Sequence, residues 1–296
     1  MLAVVCALGS SLMYALASVL QHKGARDQPD DQSLKLGLMV RLIRHPVWLA
    51  GTACDGAGYV LQFVALGHGP IVVVQPLLVC GLLFALPIGA AWAGRRLGRG
   101  DWIAALVVCA GLAVFLTVAN PAAGYADTTS SNWVALLVSV TVVAVALIAV
   151  ARGPNPRRRG MALAGAAGVV YGAAAALTKT TSHLLDRGLG PLFTHWQPYV
   201  LVAFGAGGML LAQSAFQAGA LDVSLPTMSV TDPVVSVAIG AFVLGEAISN
   251  GPAAVAVEVV ALVAMCVGVY VLARSEAGAD HRTAQAGTAG PPGTAP

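Results

Sequence analysis

The chain has 296 residues, of which 57% are hydrophobic and only 10% are charged, with a net charge of +3 and a mean hydropathy of +0.80. A soluble domain carries about 25% charged residues, so this composition argues against a soluble enzyme and against a nucleic-acid-binding protein. It predicts an all-α integral membrane protein whose solvent is the lipid bilayer.

Apolar runs in chain order predict about nine spanning helices, since each crossing needs roughly 20 mostly apolar residues. Charged residues, Gly and Pro separate these runs, which lie at residues 2–21, 46–68, 69–94, 102–121, 132–152, 160–182, 196–220, 222–244 and 250–273. For the apolar but basic stretch 33–45, an interfacial helix is predicted, with a short tenth span as the alternative. The Gly-rich and Pro-rich residues 275–296 are predicted to form a disordered cytoplasmic tail.

The loop charges predict the orientation. If the loops alternate between the two sides, one side receives 14 of the 16 basic residues, whereas the other receives Arg187 and the last, Lys179, lies near a helix end. By the positive-inside rule the basic side is cytoplasmic, which puts the N-terminus outside and the C-terminus inside. The basic side comprises Lys23, Arg26, Lys35, Arg41, Arg44, Arg95, Arg96, Arg99, Arg152, Arg157, Arg158, Arg159, Arg274 and Arg282.

An internal repeat is visible when the chain is shifted by 157 residues. This shift aligns Tyr14 with Tyr171 and Pro76 with Pro233. An odd number of crossings separates the two copies, so they should have inverted topology, which is typical of secondary transporters. The sequence thus predicts a first transmembrane repeat at 1–121, a connecting helix at 132–152 and a second transmembrane repeat at 160–274.

The two halves share further features. An Ala-Leu pair ends one helix in each half (Ala65-Leu66, Ala220-Leu221), a proline follows about a dozen residues later, and Gly245-Glu246 follows in the second half. With these features the chain resembles the drug/metabolite transporter (DMT) superfamily. The short first connection, the RHPVW entry to the second helix and the nine-span count look more similar to the NIPA-type magnesium transporter branch than to the ten-span EamA-type exporters. Arg95 stands where the first half of such proteins usually has a glutamate, so no role that needs a glutamate in both halves is carried over.

Two carboxylates lie deep in predicted helices, where charge is costly and usually functional. Asp55 is near the middle of the second helix, and Asp232 is near the middle of the eighth, directly before Pro233. A proline frees a helical carbonyl, so carboxylate and carbonyl oxygens together offer hard ligands for Mg²⁺ or another cation. Asp55 and Asp232 are therefore predicted as substrate or metal ligands; the alternative is that they are hydrogen-bonded structural groups beside a packing kink.

Further polar side chains in apolar helices are predicted to line the pathway, with interhelical hydrogen bonding as the alternative. They are Tyr14, Tyr171, Gln62, Gln75, Gln213, Gln217 and Glu258. Lys179 is expected to extend to the outer membrane surface or to act as a counter-ion. Glu246 is expected to be a solvated carboxylate at the membrane edge, and Gly168 and Gly172 to allow close helix packing.

The function predicted is gradient-driven secondary transport of a small solute or divalent cation across the cell membrane. No P-loop or HExxH motif is present, and the five cysteines have no metal-binding spacing, so we expect neither an enzyme nor a cofactor. Mg²⁺ follows from the resemblance to the NIPA branch, and an organic metabolite or drug from the wider superfamily. The expected partners are the bilayer and the substrate, not nucleic acid, and a homodimer is left open. The alternative function is a non-transporting membrane scaffold or assembly subunit.

Overall fold

The computed structural model describes residues 1–26, 46–92, 97–118, 124–125, 127–218, 221–246 and 251–288. These residues form helices and no strands, and the predicted interfacial helix at 33–45 lies outside them. The helices are α1 (Leu2–Arg26), α2 (Pro46–His68), α3 (Ile71–Leu78), α4 (Cys80–Trp92), α5 (Arg99–Val118), α6 (Ser130–Val150), α7 (Pro156–Asp186), α8 (Leu189–Thr194), α9 (Gln197–Ala218), α10 (Leu221–Phe242) and α11 (Pro252–Thr288).

Seven segments of the described chain are long and apolar enough to cross a membrane. These segments lie in α1, α2, α3 with α4, α5, α6, α7 and α11. Two further long helices, α9 and α10, follow α7, and the predicted total of nine spans stays a prediction. The predicted span 69–94 is divided at Val79 into α3 and α4, each with an interior proline, which removes a helical hydrogen bond.

The outer faces of the bundle are apolar. Along α6, for example, Val134, Val138, Val142 and Val145 are exposed at the spacing of successive helical turns. A continuous apolar stripe of this kind is unfavourable in water but is the normal surface of a helix in lipid. The protein is therefore an all-α integral membrane protein.

In the first half, α1 packs against α2 and against α4. It runs antiparallel to α2, since Ala3 lies beside Gly69 and the Ser10 hydroxyl donates to the Gly58 carbonyl at 2.7 Å. It runs parallel to α4, because Ser11 and Val19 approach Gly81 and Gly89 in the same order.

The second half packs in a similar way around α7, which is almost wholly buried. Gly168 and Gly172 lie against Thr231 and Val235, so α7 and α10 are parallel and in close contact. The predicted packing role of these two glycines is confirmed, since a side chain at either position would overlap α10. On its other side α7 packs against α9.

Two further helices, α5 and α11, bring the halves together. A Cβ added to Gly111 would lie 2.9 Å from the Ala261 carbonyl oxygen, and one added to Gly268 would lie 3.0 Å from the Ala104 carbonyl oxygen. Because the residue numbers rise along one helix as they fall along the other, α5 and α11 are antiparallel. The last helix, α11, continues to Thr288, and after Pro252 at its start it contains no proline. The predicted disorder of residues 275–296 stays a prediction.

One end of the bundle gathers segments from along the whole chain. Residue 3 contacts residue 69, Gly67 contacts Ser182, and the Tyr125 amide donates to the Leu244 carbonyl at 2.8 Å. We call this the Glu246 end, defined by residues 3, 67–72, 124–125, 179–182 and 244–246. Since α1 starts here and α7 finishes here, α1 and α7 run in opposite directions.

Candidate functional site

Tyr14 of α1 is held against α2. Its ring lies over Gly58, where an added Cβ would come within 3.0 Å of two ring carbons. Its hydroxyl donates a hydrogen bond of 2.7 Å to Gln62 Oε1, one turn further along α2. The absence of a side chain at Gly58 and the amide of Gln62 therefore fix the position of this ring.

Tyr171 of α7 is held in a comparable way against α9. A Cβ added to Gly208 would lie only 2.6 Å from Tyr171 Cε1, so the ring lies directly on the glycine backbone. The neighbouring Gly205 and Gly207 face open space instead. Each half thus supplies one tyrosine packed on a glycine of the next long helix.

The two predicted carboxylates lie within electrostatic range of both tyrosines. Tyr14 interacts electrostatically with Asp55 of α2 and with Asp232 of α10, and Tyr171 interacts with the same two carboxylates. Asp232 is partly buried and accepts a 3.2 Å hydrogen bond from the Ser236 hydroxyl, whereas Asp55 is exposed. Each tyrosine is therefore within electrostatic range of both carboxylates, and the four residues come from four helices and from both halves.

The other predicted pathway residues are placed less centrally. Gln75 is buried in α3, directly before Pro76, and Glu258 is buried in α11, where it has an interaction partner. The described contacts of Tyr14 and Tyr171 include neither residue. The side chains of Gln213 and Gln217 lie outside the described part of the structure.

Within the described residues, no group of three or more His, Cys, Asp or Glu side chains is arranged to hold a metal ion. A cation bound at Asp55 or Asp232 would therefore have at most these two carboxylates as its charged ligands. Water and the nearby hydroxyl groups would complete its coordination shell, as is common for Mg²⁺, which usually retains several waters.

A second polar cluster lies at the Glu246 end, where sequence reasoning did not anticipate it. Lys179 Nζ donates to Glu246 Oε1 at 2.6 Å, and the two side chains are only 4% and 0% exposed. The same carboxylate accepts 2.8 Å bonds from the amides of Ile71 (to Oε1) and Val72 (to Oε2), the first residues of α3. Glu246 thus joins α3 of the first half to α7 of the second.

The expectation of a solvated Glu246 was therefore wrong, and of the two alternatives for Lys179 the structure shows the counter-ion and not the extension to the membrane surface. Gly245 adopts the left-handed region with φ of 61°, which turns the chain so that the next side chain enters the bundle. Once buried, the carboxylate needs charged or hydrogen-bonding partners, which Lys179 and the start of α3 provide. The sequence offered one signal for this pair, since Lys179 and Glu246 carry opposite charges at the same predicted membrane depth.

Comparison with known proteins adds two relatives. An uncharacterized protein of Corynebacterium glutamicum is 31% identical over 247 residues, which cover 83% of this chain and 86% of that protein. The chain belongs to the same protein family. A protein of Arabidopsis thaliana named probable magnesium transporter NIPA9 is 24% identical over 272 residues, covering 88% of this chain and 78% of that protein.

No family model matches the chain, and no solved structure matches it. The segment of 247 residues aligned with the corynebacterial protein is longer than either half of the bundle. The part of the chain shared with the corynebacterial protein therefore includes helices from both halves.

Proposed function

We propose that this protein is a gradient-driven secondary transporter of the DMT type, which moves a small solute or a divalent cation across the cytoplasmic membrane. The observation that carries the proposal is the convergence of Tyr14, Asp55, Tyr171 and Asp232 between the two halves. Charged groups placed midway along membrane helices are costly and are usually retained for transport.

The packing of the two halves supports an inverted repeat. The first helix α1 is antiparallel to α2 and parallel to α4, while α7 packs against α9 and is parallel to α10, and the corresponding helices α1 and α7 run in opposite directions. The last helices of the halves, α5 and α11, are also antiparallel to each other. Such symmetry gives a transporter two conformations of similar energy, each opening the central site to one side.

The arrangement also supports a particular state of the transport cycle. At the Glu246 end the halves touch through Gly67 with Ser182 and through Glu246 with α3. Nearer the middle, Asp55 remains exposed although its electrostatic partners include groups of the other half. We assign the Glu246 end to the outside, from the loop charges, so the site would be open toward the cytoplasm.

Mg²⁺ is the first substrate to test, because the Arabidopsis relative is named a probable magnesium transporter. Two carboxylates from opposite halves suit a cation that keeps part of its hydration shell. The experiment is a screen on purified protein in liposomes, which compares uptake of Mg²⁺ and other divalent cations with proton-coupled efflux of organic compounds. A protein that moves none of these would contradict the proposal and favour the scaffold alternative.

The site is tested by Asp55→Asn and Asp232→Asn, each of which keeps the side-chain size and most hydrogen bonding but removes the charge. We expect normal expression and at least about a tenfold loss of transport, which corresponds to about 1.4 kcal/mol. Asp186→Asn is the matched control, since Asp186 is an exposed carboxylate at the end of α7. Near-normal transport by both variants would show that Asp55 and Asp232 act only through hydrogen bonds, and it would refute their role as the substrate site.

A further inference from the structure

From the cluster at the Glu246 end, we infer that Glu246, held by Lys179, forms the outer gate of the transporter by closing on the start of α3. The bonds from the Ile71 and Val72 amides to the Glu246 carboxylate form when the outside is closed, and they break when the central site opens outward, while the ion pair with Lys179 stays within the second half. This inference rests on the proposed transport function. Lys179 and Glu246 are positioning residues, since they act on the arrangement of the halves and not on the substrate.

The contacts of Glu246 explain why this one side chain can hold the outer end closed. Its carboxylate binds Lys179 of α7 and two amides at the start of α3, so a single group connects the two halves. The first amides of a helix have no partner within the helix and carry partial positive charge, which favours a carboxylate there. Removal from water strengthens all three interactions, because no solvent competes for the charges.

The surrounding residues fit the carboxylate closely. A Cβ added to Gly240 would lie 2.6 Å from Glu246 Oε2, so only glycine leaves room for the group. The Glu246 amide donates to the Gly240 carbonyl at 3.0 Å, and the Tyr125 ring lies against Gly245. The turn that carries Glu246 is thus tied to the end of α10 and would move together with it.

The positions of the first half that correspond to Lys179 and Glu246 carry other residue types. The 157-residue shift relates Lys179 to His22, and the Gly-Glu pair of the second half corresponds to Gly94-Arg95 in the first. Arginine beside histidine cannot form an ion pair. The repeat therefore does not reproduce this ion pair at the corresponding positions of the first half.

The test measures accessibility and needs no knowledge of the substrate. Ser182→Cys is the outer reporter, because Ser182 is buried against Gly67 at the Glu246 end. Thr52→Cys is the inner reporter, since Thr52 is exposed, lies one turn before Asp55, and donates to the Trp48 carbonyl of its own helix. A membrane-impermeant maleimide is applied from one side at a time, and labelling of the native cysteines is subtracted.

Lys179→Gln is the main variant, because it leaves the Glu246 carboxylate buried without its counter-ion, which favours the hydrated outward-open state. Glu246 keeps its two amide donors in the closed state, so the fold should survive. We expect the rate of outside labelling of Ser182→Cys to rise at least about tenfold, because this rate follows the population of the outward-open state. Inside labelling of Thr52→Cys should fall at the same time. Asp186→Asn, which removes an exposed charge from the same helix, should change neither reporter.

Unchanged labelling of Ser182→Cys in folded Lys179→Gln protein would overturn the gate. A rise at both reporters would overturn it as well, since general loosening opens both ends. Glu246→Gln is measured in parallel, so the test does not depend on the folding of one variant. If the labelling shifts as expected while no solute is transported, the proposed function fails and the two-state gate stands.

Discussion

Gly208 offers the sharpest test of the tyrosine arrangement. In Gly208→Ala, the new methyl group would lie 2.6 Å from Tyr171 Cε1, 2.9 Å from Cδ1 and 3.1 Å from Cζ. These distances are below ordinary van der Waals contact, so the Tyr171 ring must move away from its present position. Gly207→Ala is the matched control, because its methyl group would have no neighbour within 4 Å.

The expected effect on stability follows from comparing these two neighbours in α9. Replacing a helical glycine by alanine stabilises the helix by about 0.5–1 kcal/mol in both variants, through lower backbone entropy in the unfolded chain. The difference between them therefore isolates the cost of overpacking, about 1–3 kcal/mol. We expect Gly207→Ala to unfold at the same temperature as the unmodified protein or slightly higher, and Gly208→Ala to unfold several degrees below Gly207→Ala.

Transport should separate the two variants as well. If Tyr171 contacts the substrate through one hydrogen bond worth about 1 kcal/mol, its displacement should weaken apparent affinity about fivefold. The assays are the thermal unfolding midpoint in detergent and the concentration dependence of uptake in liposomes. Equal unfolding midpoints and equal affinities for Gly208→Ala and Gly207→Ala would refute the packing of Tyr171 on α9.

Three further predictions address the first half and the topology. Gly58→Ala should unfold at a lower temperature than Gly56→Ala, because an added Cβ at Gly58 would lie 3.0 Å from the Tyr14 ring, whereas one at Gly56 would lie in open space. This difference should be smaller than the difference between Gly208→Ala and Gly207→Ala, since the contact at Gly208 is shorter. Tyr14→Phe should lower stability by about 0.5–1 kcal/mol through loss of its bond to Gln62; an unchanged unfolding midpoint would contradict this. Reporter fusions near Tyr125 and Arg187 should both report the outside. If the two fusions reported different sides, the placement of both segments at the Glu246 end would be contradicted. If both reported the cytoplasm, the predicted orientation would be reversed.

The arrangement at the central site could be partly predicted from the sequence. The depth of Asp55 and Asp232 followed from their positions within apolar runs, since position along a helix fixes depth in the bilayer. The shared offset of Tyr14 and Tyr171 indicated that they are corresponding residues. Their common proximity to both carboxylates, however, depends on how α1, α2, α7 and α10 are rotated about their own axes. Helices without a polar face carry little information about that rotation.

Composition and hydropathy by themselves determined the solvent, the all-helical class and the places of most helices, because a bilayer requires every backbone group to bond within its own helix. Tertiary structure alone decided the burial of Glu246 and its pairing with Lys179, 67 residues away in the chain. It also decided that Gly208 touches a tyrosine while Gly207 does not. These features depend on the distances between helices. Such distances are set by side-chain packing across the whole bundle, and no local sequence pattern encodes them.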